Sequence, residues 1–184
     1  MSPPVASEDH LLDRLALVAG DPDAALSTYR PDDPGHSLSD IECDVLTDFV
    51  FRVPSGRMAD AQAKWANTYE YVWDWKSDAL GGLIGAAHAI EIPFIFDVVD
   101  DERLGVFIGE SPPKGLARSA HEAWISFAHT GAPAGEGLPT WPTVDSAPIR
   151  QVMVLDTESR LVDDPRAHTR TFWDTPAAAL PTQD

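Results

Sequence analysis

The sequence is poor in cysteine and in basic residues. Its one cysteine, Cys43, has no partner for a disulfide within the chain, and we predict a cytoplasmic protein from this. Thirty aspartates and glutamates outnumber 13 lysines and arginines, so the formal net charge at pH 7 is −17. Nucleic-acid phosphates bind clustered basic side chains, and anionic lipids repel an acidic surface. We therefore expect neither a nucleic-acid partner nor a membrane partner.

Long apolar runs are also missing from the sequence. No stretch of about 18 consecutive apolar residues occurs, which argues against a transmembrane helix. The first ten residues contain no basic cluster followed by an apolar run, so they do not resemble a signal peptide. Hydrophobic residues make up 43% and charged residues 23% of the 184 positions. These values are typical of a soluble globular protein with the length of one domain.

The first part of the chain favours short helices. Residues 1–37 are a polar, Pro- and Asp-rich lead-in with one short amphipathic helix, which we expect to end at Gly20-Asp21-Pro22. A second helix is predicted from Ser39, whose side chain would form a capping box with Glu42. Pro54 is expected to open a third helix. The predicted inward face of that third helix consists of Met58, Ala61 and Trp65.

Strand patterns are few and lie far apart in the sequence. Aromatic residues alternate along 68–75, which predicts a strand, and a second strand is predicted at 151–155. Residues 98–115 are expected to form a surface loop. A long helix should follow from Leu116 to a glycine cap at Gly131, and a final helix is predicted over 165–173. Two strands separated by helices predict an α/β fold with an incomplete sheet and several packed helices.

Four short motifs occur in one order and at compatible spacing. The first runs from Gly85 to Phe96 and has the pattern G-x-x-H-x-x-E-I-P-F-I-F, with His88 as its histidine. The other three are T-D-x-x-F-x-x-P at 47–54, W-x-x-F-A-x-x-G-x-P at 124–133 and L-P-x-W-P at 138–142. Together they resemble the type-B carboxylesterases, the family that includes para-nitrobenzyl esterases and cholinesterases.

The resemblance covers residues 25–174 and implies the C-terminal part of an α/β-hydrolase fold. On this basis we expect residues 1–184 to form a single partial domain. Its carboxylesterase region would span 38–174, after the lead-in 1–37, and residues 175–184 would form a flexible tail.

His88 is the residue on which a catalytic prediction depends. It follows the Gly-rich segment 81–85 and is expected on a loop, where an imidazole that titrates near neutral pH suits a general base. From its position alone, a structural or solvated histidine remains an alternative. The resemblance implies that His88 is the base of a Ser-His-acid triad. It would take the proton of the serine hydroxyl and return it to the leaving alcohol.

The other parts of such a triad are not recognisable in the sequence. In α/β-hydrolases the chain order is serine, acid, histidine, so both partners would precede His88. No G-x-S-x-G occurs anywhere. Gly109-Glu110-Ser111 is followed by two prolines, which do not fit the tight turn of a nucleophile elbow, and it lies after His88. The glycine amides of an oxyanion hole are not recognisable either.

These features predict the C-terminal portion of a carboxylic-ester hydrolase that is inactive by itself. It would act on a small-molecule ester when an N-terminal half, a complementing polypeptide, supplies the serine, the acid and the oxyanion hole. Phe94 and Phe96 are candidate residues for one wall of the substrate pocket. The alternative is a non-catalytic binding or interaction module derived from the hydrolase end, whose function would not need His88.

No metal or cofactor site is predicted. His121-Glu122 begins like the zinc motif H-E-x-x-H, but Ile125 occupies the position of the second histidine. Asp48, in the T-D motif, is expected to be structural. In the relatives it would pair with a basic residue of the N-terminal half, and we expect that partner to be absent from this chain.

Overall fold

The computed structural model describes residues 4–30, 36–146 and 148–179, which divide into two compact units. Unit 1 contains Met1–Met58 and Arg166–Asp184, and unit 2 contains Ala59–Pro165. Of the predicted flexible tail, residues 180–184 lie outside the described part of the chain, whereas Pro176–Ala178 forms a 3-10 turn. The predicted boundaries of the lead-in, the carboxylesterase region and the tail stay predictions.

Unit 1 is built from helices. They are α1 (Glu8–Leu15), α2 (Pro22–Tyr29), α3 (Leu38–Thr47), the first part of α4 (Val53–Ala63) and α8 (Ala167–Phe172), with a π-helical segment at Asp48–Arg52 between α3 and α4. Their apolar sides enclose a core that includes Leu11, Leu26, Val45, Phe172 and Trp173. Burial of this apolar surface is the main stabilising contribution to the unit.

Two helix starts in unit 1 differ from the prediction. The segment Gly20-Asp21-Pro22, which was expected to end the first helix, leads into a second helix. The side chain of Asp21 accepts a hydrogen bond from Ala24 N, and Pro22 occupies the first turn of that helix. The lead-in therefore contains two helices. The capping box of α3 is formed by Ser37 and Asp40, two residues before the predicted Ser39 and Glu42 pair. Ser39 instead accepts a hydrogen bond from Val5 N.

The predicted inward face of the third helix is wrong. Helix α4 continues from α3 through the π-helical segment, and Pro54 lies in its first turn. Met58 is 69% exposed and Trp65, which lies beyond the end of α4, is 85% exposed. Ala61 is exposed as well. The apolar spacing is helical, but the described residues do not cover that face.

Unit 2 contains a three-stranded sheet of order β1-β2-β3. Its strands are β1 (Tyr71–Trp73), β2 (Gln151–Leu155) and β3 (Arg160–Asp163). Strand β1 pairs with β2 in parallel, with Tyr71 opposite Met153, and β2 pairs with β3 in antiparallel orientation. The bounds of β2 are as predicted, whereas β1 is shorter than 68–75. Strand β3 was not predicted, because its four residues show no clear apolar alternation, and two of them are exposed.

The remaining elements of unit 2 are helical. They are α5 (Ile92–Ile95), a 3-10 turn (Glu102–Leu104), α6 (Gly105–Ile108) and α7 (Lys114–Thr130). The prediction of a surface loop over 98–115 is therefore wrong, since Ile108 and Val99 are buried in the core of the unit. The long helix and its cap are confirmed, and Gly131 has the left-handed φ of +77°. Within the described ranges, no helix combines the length and the apolar character needed to cross a membrane.

The core of unit 2 lies between the sheet and helix α7. Leu116, Ala117, Ala120 and Ala123 of the helix are buried against Met153 and Leu155 of β2. The alternating aromatics of the β1 region line this core, and the rings of Tyr71 and Trp124 meet edge to face at 5.1 Å. This packing places the segment that carries His88, between β1 and α5, at the surface of the unit.

Candidate active site

The loop that leads to His88 is closed at its base by Ser77. The backbone N of Ser77 donates to Gly85 O at 3.0 Å, and the two residues form an isolated antiparallel bridge. The Ser77 side chain is 2% exposed, donates to Phe107 O at 2.9 Å and accepts from Ala79 N at 3.0 Å. These bonds satisfy a buried hydroxyl and fix the start of the loop against the α6 region.

The tip of this loop requires glycine. Gly81 and Gly82 have φ values of +70° and +86°, and Gly82 N donates to Asp78 O at 2.9 Å. A side chain at either position would be strained, because L residues rarely adopt this conformation. The Gly-Gly pair therefore lets the chain reverse and return to Gly85, three residues before His88.

His88 lies in a tight turn between the loop and helix α5. Ile90 N donates to Ala87 O at 3.2 Å, so His88 and Ala89 are the two central residues of a hydrogen-bonded turn. His88 is exposed, whereas Ile90, two residues further on, is fully buried. The imidazole is therefore accessible to a reacting partner, as a general base has to be.

Helix α5 fixes the other side of the turn. Pro93 lies in its first turn, and the buried ring of Phe94 packs against Trp73 and Trp75 at centroid distances of 4.9 and 4.8 Å. Two of the alternating aromatics of the β1 region thus hold the helix that follows His88. A short helix of four residues has little stability by itself, so this packing is what keeps it in place.

The two candidate pocket residues lie in different environments. Phe94 is 0% exposed and lies in the core of unit 2, whereas Phe96, just after the end of α5, is 67% exposed. Of the two rings, only that of Phe96 has surface that a ligand can contact in this chain. The predicted substrate contacts of both residues stay predictions.

His121 has a structural contact that sequence reasoning missed. Its Nδ1 lies 2.8 Å from Ile95 O and connects helix α7 to the last residue of α5. The carbonyl oxygen is an acceptor only, so Nδ1 carries the proton in this contact. Among residues 4–30, 36–146 and 148–179, no group of three or more His, Cys, Asp or Glu side chains is placed to hold a metal ion.

The segment Gly109-Glu110-Ser111 has the wrong surroundings for a nucleophile elbow. It follows helix α6, whereas the elbow follows a strand. Gly109 ends that helix with φ +77°, and an added Cβ would approach Asp78 Oδ1 to 2.0 Å, so glycine serves local packing here. Ser111 is exposed and precedes the two prolines that lead into α7.

Unit 1 contains a buried polar cluster around Asp48. Tyr29 donates its hydroxyl to Asp48 Oδ2 at 2.6 Å and accepts from Trp173 Nε1 at 2.6 Å. Arg52 Nη2 lies 3.0 Å from Asp48 Oδ1 and forms an ion pair with it. The geometry is not that of a hydrogen bond, and Asp48 Oδ1 accepts none from the described residues. Arg52, one helical turn later, is thus a basic partner of Asp48 within this chain, which was not predicted from the sequence. The expected absence from this chain of a partner in the N-terminal half stays a prediction.

This cluster also changes how Tyr29 titrates. Burial raises the pKa of the Tyr29 phenol, and the hydrogen bond to Asp48 raises the same pKa further. Burial also lowers the pKa of Arg52, which Asp48 partly offsets. The sequence signal was the T-D motif itself, but Tyr29 and Trp173 lie 19 and 125 positions from Asp48, outside any local pattern.

The fold and the position of the histidine together define the class of protein. A parallel strand pair with packed helices, and an exposed histidine between β1 and a short helix, form the C-terminal part of an α/β-hydrolase fold. The profile of the carboxylesterase family matches residues 23–173. The chain belongs to the carboxylesterase family, which confirms the resemblance seen in the four motifs.

Individual relatives agree with this family. The chain is 32% identical over 127 residues to the para-nitrobenzyl esterase of Bacillus subtilis, which covers 68% of this chain and 25% of that protein. It is 34% identical over 125 residues to the phenmedipham hydrolase of Pseudarthrobacter oxydans, covering 66% and 25%. The chain thus spans about a quarter of the length of the curated relatives it matches.

Solved structures show the same relation in three dimensions. A carboxylesterase of Geobacillus stearothermophilus superposes with a TM-score of 0.77 at 32% identity, over 91% of this chain and 35% of that chain. A PNB esterase superposes with a TM-score of 0.70 at 28% identity, over 92% and 34%. The described fold is therefore that of the carboxylesterases over nearly its whole length.

Proposed function

We propose that this chain supplies the general base, His88, of a carboxylic-ester hydrolase. The observation that carries the proposal is the position of His88, exposed on a hydrogen-bonded turn within the family motif. There it would remove the proton from an attacking serine hydroxyl and return it to the alcohol that leaves the tetrahedral intermediate. The substrate class would be a small-molecule ester, and Phe96 offers an exposed apolar side chain to it.

The serine, the acid and the oxyanion hole would come from residues beyond these 184. The sequence has no G-x-S-x-G, and Ser111 follows a helix and not a strand. We therefore expect the 184 residues by themselves not to hydrolyse esters, because a base without a nucleophile forms no acyl intermediate. The complementing residues can belong to the same or to a separate polypeptide.

A chimeric enzyme tests the role of His88. In the Bacillus subtilis para-nitrobenzyl esterase, the segment that matches this chain would be replaced by the corresponding residues of this chain. We expect the chimera to hydrolyse para-nitrophenyl butyrate. His88→Ala should lower kcat by about 10³-fold or more, the size of effect seen when a triad member is removed.

The matched control is His129→Ala in the same chimera. His129 is an exposed histidine in the last turn of α7, so its removal should leave kcat within about twofold. A folded chimera without ester hydrolysis, or one whose activity survives His88→Ala, contradicts the proposal. The second result would favour a non-catalytic module in which His88 has no chemical role.

A further inference from the structure

The turn at His88 contains a residue in an unfavourable backbone conformation. Ala89 has a φ of +68°, which alanine rarely adopts and which turns of this kind normally fill with glycine. His88 is not among the residues of positive φ, so the left-handed conformation belongs to Ala89 alone of the two central residues. Such a conformation persists only where the surrounding structure imposes it.

The surroundings impose it from both sides. Upstream, the Ser77–Gly85 bridge fixes the chain three residues before His88. Downstream, Ile90 and Phe94 are both 0% exposed, and Ile92 N donates to Ala89 O at 3.3 Å. The chain between Gly85 and Ile90 has to reverse within a few residues, and the positive φ at Ala89 achieves this.

We propose that Ala89 is a positioning residue, whose left-handed backbone holds the imidazole of His88 in one direction. The inference rests on the proposed role of His88 as general base. Alanine disfavours a positive φ more than glycine does, so the held flanks and not alanine's own preference keep this conformation. Ala89 is half-buried between the two held flanks, and His88 beside it is exposed.

Two substitutions at position 89 test whether the backbone conformation of Ala89 positions His88. A valine is β-branched and resists a positive φ, so Ala89→Val should open the turn and displace His88. In the chimera we expect kcat to fall by about tenfold or more while KM stays within about twofold, because a base displaced by about 1 Å loses rate and not affinity. Ala89→Gly accepts the same φ and should keep kcat within about threefold.

Asp97 provides a matched control at the other end of the same helix. It is exposed, follows α5 and has a φ of +52°, so Asp97→Val introduces the same kind of backbone conflict away from His88. We expect this variant to keep kcat and KM within about twofold of the parent chimera. If Ala89→Val and Asp97→Val lost equal amounts of kcat, the cause would be general destabilisation, and the inference would be wrong.

Amide exchange of Ile90 in the 184-residue chain gives a readout that needs no catalysis. The bond from Ile90 N to Ala87 O closes the turn, so Ala89→Val should speed this exchange by about tenfold or more, and Asp97→Val should not. Unchanged exchange in Ala89→Val overturns the inference. If His88→Ala abolishes activity but Ala89→Val does not, the inference is wrong and the proposed function stands. If His88→Ala retains activity, both are wrong.

Discussion

At the scale of single residues, Tyr29 and Asp48 show how unit 1 accommodates a buried carboxylate. The carboxylate is 1% exposed, and isolated burial of such a group is strongly unfavourable without partners. Tyr29 donates to it, Trp173 donates to the Tyr29 hydroxyl, and Arg52 supplies the opposite charge. Three helical segments, α2, the π-helical segment and the end of α8, therefore meet at one buried polar cluster, in which Asp48 Oδ2 accepts a hydrogen bond and Oδ1 forms the ion pair with Arg52.

Removal of the Tyr29 hydroxyl should destabilise the chain. Tyr29→Phe keeps the ring but leaves Asp48 Oδ2 and Trp173 Nε1 without this partner in the interior. We expect the free energy of unfolding to fall by about 1–3 kcal/mol, the usual effect of an unsatisfied buried polar group. Urea denaturation followed by circular dichroism measures the change.

Tyr69→Phe is the control for this measurement. The Tyr69 ring packs edge to face on Phe127 at 5.9 Å, and its hydroxyl makes no hydrogen bond among the described residues. Its loss should change the free energy of unfolding by less than about 0.5 kcal/mol. If the two variants were equally stable, the polar cluster would have no net role in the stability of unit 1.

At the scale of elements, helix α7 and the strands differ in how far the sequence predicts them. The stripe of apolar residues on α7 and the glycine after it are local signals, and the structure follows both. Strand β2 also has a local signal, its run of apolar residues, and four of its five residues are buried in the structure. Strand β3 and helix α6 have weak patterns of their own, and their structure depends on the elements they pack against.

A glycine-to-alanine substitution should change the free energy of unfolding in opposite directions at the two ends of α7. Gly131 has φ +77°, so Gly131→Ala should lower the free energy of unfolding by about 1 kcal/mol through backbone strain alone. Apart from the chain neighbours and the helix's own backbone, no atom of the described residues lies within 4 Å of an added Cβ at Gly131 or at Gly115, so we expect no clash. Gly115→Ala, in the first turn, should raise the free energy of unfolding by about 0.4–1 kcal/mol.

Thermal unfolding of the two variants side by side checks this prediction. The glycine-to-alanine change is the same, and only the backbone conformation of the position differs. A shift of the melting temperature in the same direction for both variants would show that Gly131 does not act as the helix cap.

At the scale of the whole molecule, the sequence identified the family and the family's histidine segment but not the geometry that holds them. The four motifs predicted an α/β-hydrolase end, and the family match over residues 23–173 agrees. The left-handed Ala89 and the contact of His121 with Ile95 O arise from packing between distant segments. The hydrogen bond of Asp48 with Tyr29 likewise joins distant positions, so local spacing could not predict it.

The most direct test of the account is covalent labelling with a fluorophosphonate, which reacts with an activated serine, followed by intact mass. We predict no adduct on the 184-residue chain alone, because its sequence has no G-x-S-x-G. The chimera should gain one adduct, and His88→Ala should slow this labelling by about 10²-fold or more, since the serine then lacks its base. An adduct on the chain alone that disappears with His88→Ala would contradict the account, because a serine within these residues would then be the nucleophile.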